Sequence, residues 1–225
     1  MGRMVSFKAN GRPGDGYLAT PKGGHGPGLI VVQEWWGLVG HITDVCERFS
    51  HEGFFALAPD LYHGEKTTSP DAAEKLKMAL NVAEAAKDMR GAANYLIGLD
   101  GVAPKKVASV GFCMGGQLAL YAATEFPDLI GACVDFYGAH EAVKPNFANL
   151  SGPVLAHFAN HDKSLPPDAA NAMVKQIRDA GKTIEPHFYD AHHAFFNDQR
   201  PKVYNADAAR LAWERTIKFL KNALM

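Results

Sequence analysis

Short apolar stretches alternate with longer amphipathic ones through most of the chain. Continuous β-branched or aromatic runs fall at residues 29–33, 54–58, 107–112, 132–137, 154–159 and 184–189. Runs with no polar alternation predict strands buried on both faces of a sheet. Between them, residues 42–52, 70–96, 116–125, 167–180 and 206–223 carry apolar side chains at three- and four-residue spacing, which predicts helices. The 70–96 segment is long enough to accommodate a break. Strands separated by such helices predict an α/β fold, with a mostly parallel central sheet covered by helices on both faces. The Gly/Pro-rich segments 11–16 and 21–28 read as turns between short N-terminal strands. In sheets of this kind ligands collect beyond the carboxyl ends of the strands. The residues that follow each strand therefore carry the functional information.

Composition narrows this picture mainly by exclusion. The 225 residues suit one domain spanning 1–225. Lys and Arg total 23 against 24 Asp and Glu, so no net charge draws the chain to nucleic acid or to an acidic membrane. Residues 1–10 lack the apolar stretch of a signal peptide, and no run approaches the ~20 residues that span a bilayer. A cytoplasmic location is expected, where Cys46, Cys113 and Cys133 stay as free thiols. Three widely spaced cysteines make neither a disulfide framework nor a four-cysteine zinc site. His157, His161, His192 and His193 lack a zinc-ligand spacing, so neither metal nor cofactor is expected.

The sharpest motif follows the 107–112 run, where the chain reads Gly111-Phe-Cys113-Met-Gly115-Gly116 before a helical segment. This is a G-x-nucleophile-x-G elbow with Cys at the nucleophile position. Such a turn crowds neighbouring backbones, which is why side chains are excluded at 111 and 115. It also sets the sulfur at a helix N-terminus, where the dipole favours thiolate. A buried structural Cys is the alternative. A nucleophilic thiol needs a base and an orienting acid, expected in the order acid then His after later strands. Asp162 follows the 154–159 run and His193 follows the 184–189 run. Asp162 has a helix-capping alternative, and His192 is a rival to its neighbour. Glu34 ends the first strongly apolar run in Gln33-Glu34-Trp35-Trp36-Gly37. A carboxylate at the tip of a buried strand needs a partner, so both a functional and a structural role stay open. The backbone N–H groups of Trp35 and Met114 are the candidates for an oxyanion hole.

Taken together, Gln33-Glu34-x-x-Gly37, Ala58-Pro59-Asp60-Leu61-Tyr62, the Cys113 elbow, Asp162-x-x-x-Pro166 and His193-Ala194-Phe195 resemble the dienelactone hydrolase (carboxymethylenebutenolidase) family. The resemblance runs over about residues 28–220. It implies a single-domain α/β-hydrolase fold without a large cap domain, and a Cys113–His193–Asp162 triad acting on small lactones or esters. It further implies that Glu34 holds the resting thiol protonated until substrate displaces it, so that Glu34→Gln would raise thiol reactivity. Trp36, Tyr137, Phe195 and Arg200 are the expected substrate contacts. The two arginines with which relatives clasp a substrate carboxylate have no clear counterparts, since residues 62–88 contain no Arg. Lys66, Lys75 and Arg200 are the cations in question. A small-molecule lactone or ester is the implied partner, with no nucleic acid or membrane, and a monomer rather than a dimer. Thioester hydrolysis, or redox sensing with Cys133 as resolving thiol, is the alternative function.

Overall fold

The apolar runs become the parallel strands β3 (Gly28–Val32), β4 (Phe55–Pro59), β5 (Val107–Phe112), β6 (Ile130–Phe136), β7 (Val154–Ala159) and β8 (Ile184–Tyr189). Every residue of β3, β4, β5 and β7 is buried, as expected of strands covered on both faces. The computed structural model describes residues 2–9 and 11–224. Two further strands, β1 (Arg3–Ala9) and β2 (Arg12–Ala19), pair antiparallel with each other, and β2 pairs antiparallel with β4. The eight strands lie in the order β1-β2-β4-β3-β5-β6-β7-β8. β8 is an edge strand, which accommodates Pro186 because its outer side needs no ladder donor.

One expectation fails here. Most of the 11–16 segment is not a turn but the first half of β2. Its glycines serve close approach rather than chain reversal. A Cβ on Gly14 would lie 2.8 Å from the Phe7 ring, and one on Gly16 would lie 2.6 Å from the Ala58 carbonyl oxygen.

Helices α1 (Gly40–His51) and α6 (Ala206–Leu224) cover one face, where they bury Leu29, Val31, Val110 and Phe112. Helices α3 (Val82–Gly98), α4 (Met114–Glu125) and α5 (Pro167–Asp179) cover the other, over Ile30, Val32 and Val107. This one-residue alternation is the pleat sending successive side chains to opposite cores. The 70–96 segment is indeed broken, into α2 (Pro70–Ala79) and α3. Asn81 starts the second helix, its Oδ1 accepting from the N–H groups of Ala83 and Glu84 at 3.1 and 3.2 Å. Cys46 and Cys133 are buried in the two cores, and burial pushes both thiols far up. Among the described residues, no helix is long and apolar enough to cross a membrane.

Candidate active site

Cys113 stands between the end of β5 and the start of α4, with φ 56° and ψ −125°. A non-glycine residue is strained there and stays only if its surroundings fix it. Its N–H donates to the Phe136 carbonyl at 3.0 Å, and its own carbonyl accepts from Gly116 and Ala139 at 2.9 and 3.3 Å. The glycines have the steric purpose inferred from sequence. A Cβ on Gly111 would lie 1.9 Å from the Gly115 oxygen, and one on Gly115 would lie 2.3 Å from the Gln33 oxygen.

Asp162 and His193 close on each other from adjacent strand ends. Asp162 Oδ1 accepts from the N–H groups of Ser164 and Leu165 at 2.7 and 2.9 Å, which fixes the carboxylate. Its Oδ2 lies 2.7 Å from Nδ1 of His193. The rival His192 is exposed and reaches the His161 carbonyl instead, at 3.3 Å. Behind His193, the Tyr137 ring packs at 5.1 Å, and the fully buried Phe195 and Phe196 anchor the loop. Three of the four described non-glycine residues with positive φ are Cys113, Tyr137 and Ala194. Strain thus gathers at the ends of β5, β6 and β8, where it orients a few side chains. Burial by itself would lower the His193 pKa. The hydrogen bond that His193 donates to Asp162 and the adjacent Cys113 sulfur outweigh it and raise the imidazole to about 10.

Glu34 follows β3 and is buried, 1% exposed. Its Oε2 accepts from Nδ2 of Asn197 at 2.7 Å, a contact between residues 163 positions apart. Neighbouring Gln33 uses its Oε1 to accept from the Leu61 N–H at 3.3 Å, which ties the Gln-Glu segment to the Asp-Leu-Tyr segment. Trp35 and Trp36 meet edge to face at 4.9 Å. Neither the Trp35 nor the Met114 N–H is taken by another hydrogen bond among the described residues, which leaves both free for a ligand oxygen. Glu34, Trp35, Cys113 and His193 line one cavity of about 430 Å³.

The family model for the dienelactone hydrolase family matches residues 15–224. The chain belongs to that family. It is 38% identical to "Protein usf" of Aquifex pyrophilus, with all of both chains covered. It is 35% identical to the "Putative carboxymethylenebutenolidase" of Aquifex aeolicus (strain VF5), again over the whole of both. Among solved structures, the "Putative Dienelactone Hydrolase" from Klebsiella pneumoniae subsp. pneumoniae MGH 78578 superposes with a TM-score of 0.88 at 29% identity, covering 98% of each chain. The fold is therefore that of the α/β-hydrolases, and the protein is a hydrolase of the ester and lactone class.

In this chain the expected substrate contacts divide. Arg200 lines the cavity. Trp36 lines an adjoining one of about 320 Å³ that Arg200 also borders, the guanidinium lying 5.0 Å from the Trp36 ring. Tyr137 and Phe195 are fully buried and do not line the cavity; the Tyr137 ring packs against His193 at 5.1 Å and Phe195 packs against Tyr137. Tyr137 follows β6 and Phe195 lies in the loop after β8, and their rings meet at 5.3 Å within the core. Lys66 and Lys75 do not line the cavity, whereas Lys77 and Lys163 do, together with Glu74, His140 and Glu141. Lys77 is paired with Glu74 at 2.8 Å and lies over the Trp35 ring. Burial, with Lys77 nearby, lowers the His140 pKa and keeps that ring neutral.

Cys133 is excluded as a resolving thiol. It pairs in register with Ser109, four residues before Cys113. At ~3.3 Å per residue that offset is roughly 13 Å, against the 7 Å that a disulfide bridges between Cα atoms. Sequence reasoning also passed over Asp135, a fully buried carboxyl near the end of β6. Gly116 and Gly138 make room for it, since a Cβ on either would lie 2.2 or 2.3 Å from its Oδ1. Burial raises its pKa to about 7 against the pull of the Gly138 N–H and His193.

Proposed function

We propose that the protein hydrolyses small lactones and esters through a Cys113–His193–Asp162 triad and a thioester intermediate. The observation that carries this reading is the joint placement of a strained elbow thiol and an Asp-held imidazole on one cavity. In the first half-reaction, the Cys113 thiolate attacks the carbonyl carbon, and the N–H groups of Trp35 and Met114 hold the resulting oxyanion. The C–O bond then breaks. The departing enolate or alkoxide takes its proton from the His193 imidazolium, leaving the acyl group on sulfur. In the second, neutral His193 removes a proton from water, whose oxygen attacks the thioester. Collapse releases the acid and returns the thiolate, paired again with protonated His193. Asp162 keeps the Nδ1–H of His193 directed and stabilises the imidazolium throughout. A thiolate is a good leaving group, so it partitions forward only when the substrate's own leaving group is as good. Enol lactones and aryl esters meet that condition, and amides do not.

The raised His193 pKa sets the alkaline side of the pH profile. An imidazole held above its ordinary 6.5 stabilises the fold fully below that value, and the contribution is lost as pH rises through about 10. Hydrolysis of aryl esters and enol lactones, followed across pH, is expected to persist into the alkaline range and fall as pH approaches about 10. Matched anilides should show no turnover. Failure to hydrolyse any ester or lactone at any pH, or equal cleavage of the anilides, would sink the proposal.

A further inference from the structure

We infer that the acyl arm of the substrate runs past His140 into a second, largely apolar cavity beside α5, so that esters of longer aliphatic acids are preferred to acetates. The inference rests on the triad proposed above and names the acyl class it serves. The second cavity holds about 630 Å³. It directly adjoins the catalytic one, since Ala139, His140, Glu141 and Ser164 line both. Beyond that junction its walls include Val143, Phe147, Leu165, Ala169, Ala172 and Met173. Formal charge is confined to Glu141 and Lys144, both exposed at the rim. Val143, Phe147 and Met173 are buried members of the core below, so the floor is apolar. It is also fixed without a ligand. Gln117 Nε2 donates to the Val143 carbonyl at 3.4 Å, and the Val143 N–H donates to the His140 carbonyl at 3.1 Å.

Which arm enters follows from the side on which His193 stands. Its loop is buried through Ala194, Phe195 and Phe196 in the core under α1 and α6. Val143, Phe147 and Met173 belong to the opposite core, under α3, α4 and α5. His193 protonates the departing oxygen, so the alcohol leaves on its own side and the groove falls to the acyl arm. His140 at the junction is neutral, so an uncharged chain displaces no ion there. The chain stays in the groove through both half-reactions and is bound alike in ground and transition states. Its burial therefore lowers KM more than it raises kcat. Full burial of a methylene is worth about fourfold in binding, and a groove with an exposed rim gives about twofold.

The test is kcat/KM for p-nitrophenyl acetate, butanoate and hexanoate, each divided by its uncatalysed hydrolysis rate. Para-methyl-, para-propyl- and para-pentylphenyl acetate form the matched series in which the alcohol arm grows instead. The acyl series is expected to rise about twofold per methylene, mostly through KM, while the alcohol series stays level. Ala172→Trp fills the groove from an exposed position on α5 and is expected to abolish the rise, with acetate turnover changed less than about twofold. Ala169→Trp, three residues earlier on the same helix, is a second blocking variant. An acyl series that stays level or falls overturns the inference, as does a rise confined to the alcohol series or one that survives in both variants. Failure of the triad itself registers separately, as acetate turnover surviving in Cys113→Ala, because an acetyl group puts no chain into the groove.

Discussion

Cys113→Ala is expected to lower the hydrolysis of activated aryl esters and enol lactones by at least about 10³-fold, with the fold intact. The size of the loss follows from what remains. The two free N–H groups and the His193–Asp162 pair would still polarise a carbonyl, but no covalent intermediate forms and water must attack directly. The fold should survive because Cys113 is only part-buried and its turn is held by backbone bonds to Phe136, Gly116 and Ala139. Steady-state kinetics with circular dichroism on the same sample checks both halves. Undiminished turnover would remove Cys113 from the chemistry, whatever its geometry.

Gly111→Ala is expected to have the largest effect on stability. Its Cβ would lie 1.9 Å from the Gly115 oxygen and 2.3 Å from the Gly115 carbonyl carbon. Both are backbone atoms of the turn, so no side-chain rotation relieves the clash. Either β5 or the start of α4 must shift, and the fully buried strand leaves no room for that. The cost is on the order of 4 kcal/mol or more, above ordinary overpacking, which for a chain of this size is about 10 °C in Tm. Gly98→Ala is the matched control, since nothing lies within 4 Å of its built Cβ. There Tm should hold steady or rise slightly. A Gly111→Ala protein that melts with the natural one would show that the elbow is far looser than its contacts imply.

The parts of the site that sequence made legible share one property: each is written in consecutive residues. The elbow is a local backbone requirement, so its glycines and Cys113 declare it. Asp162 and His193 were legible because strand ends are marked by apolar runs, and the fold class fixes where those ends converge. The β1–β2 hairpin was half hidden because glycine signals both reversal and close approach, and only the neighbours Phe7 and Ala58 distinguish them. Tyr137 and Phe195 are ambiguous in sequence for a related reason. Aromatic residues beside a triad suit a pocket wall and a supporting core equally, and only the packing of the whole chain buries both rings. Lys77, His140 and Lys163 come from helices and loops whose facing depends on packing across the molecule. The Asn197–Glu34 contact spans 163 positions, and no local pattern could announce it.

The central claim is that acyl groups pass through Cys113, and intact-protein mass spectrometry tests it most directly. The protein is mixed with an activated aryl ester, quenched in acid within the first turnovers, and digested for site assignment. The triad reading predicts one acyl group per chain, on the peptide bearing Cys113, absent from Cys113→Ala and released by hydroxylamine as a thioester is. Turnover of the ester with no adduct at Cys113, or with the acyl group on another residue, would contradict it.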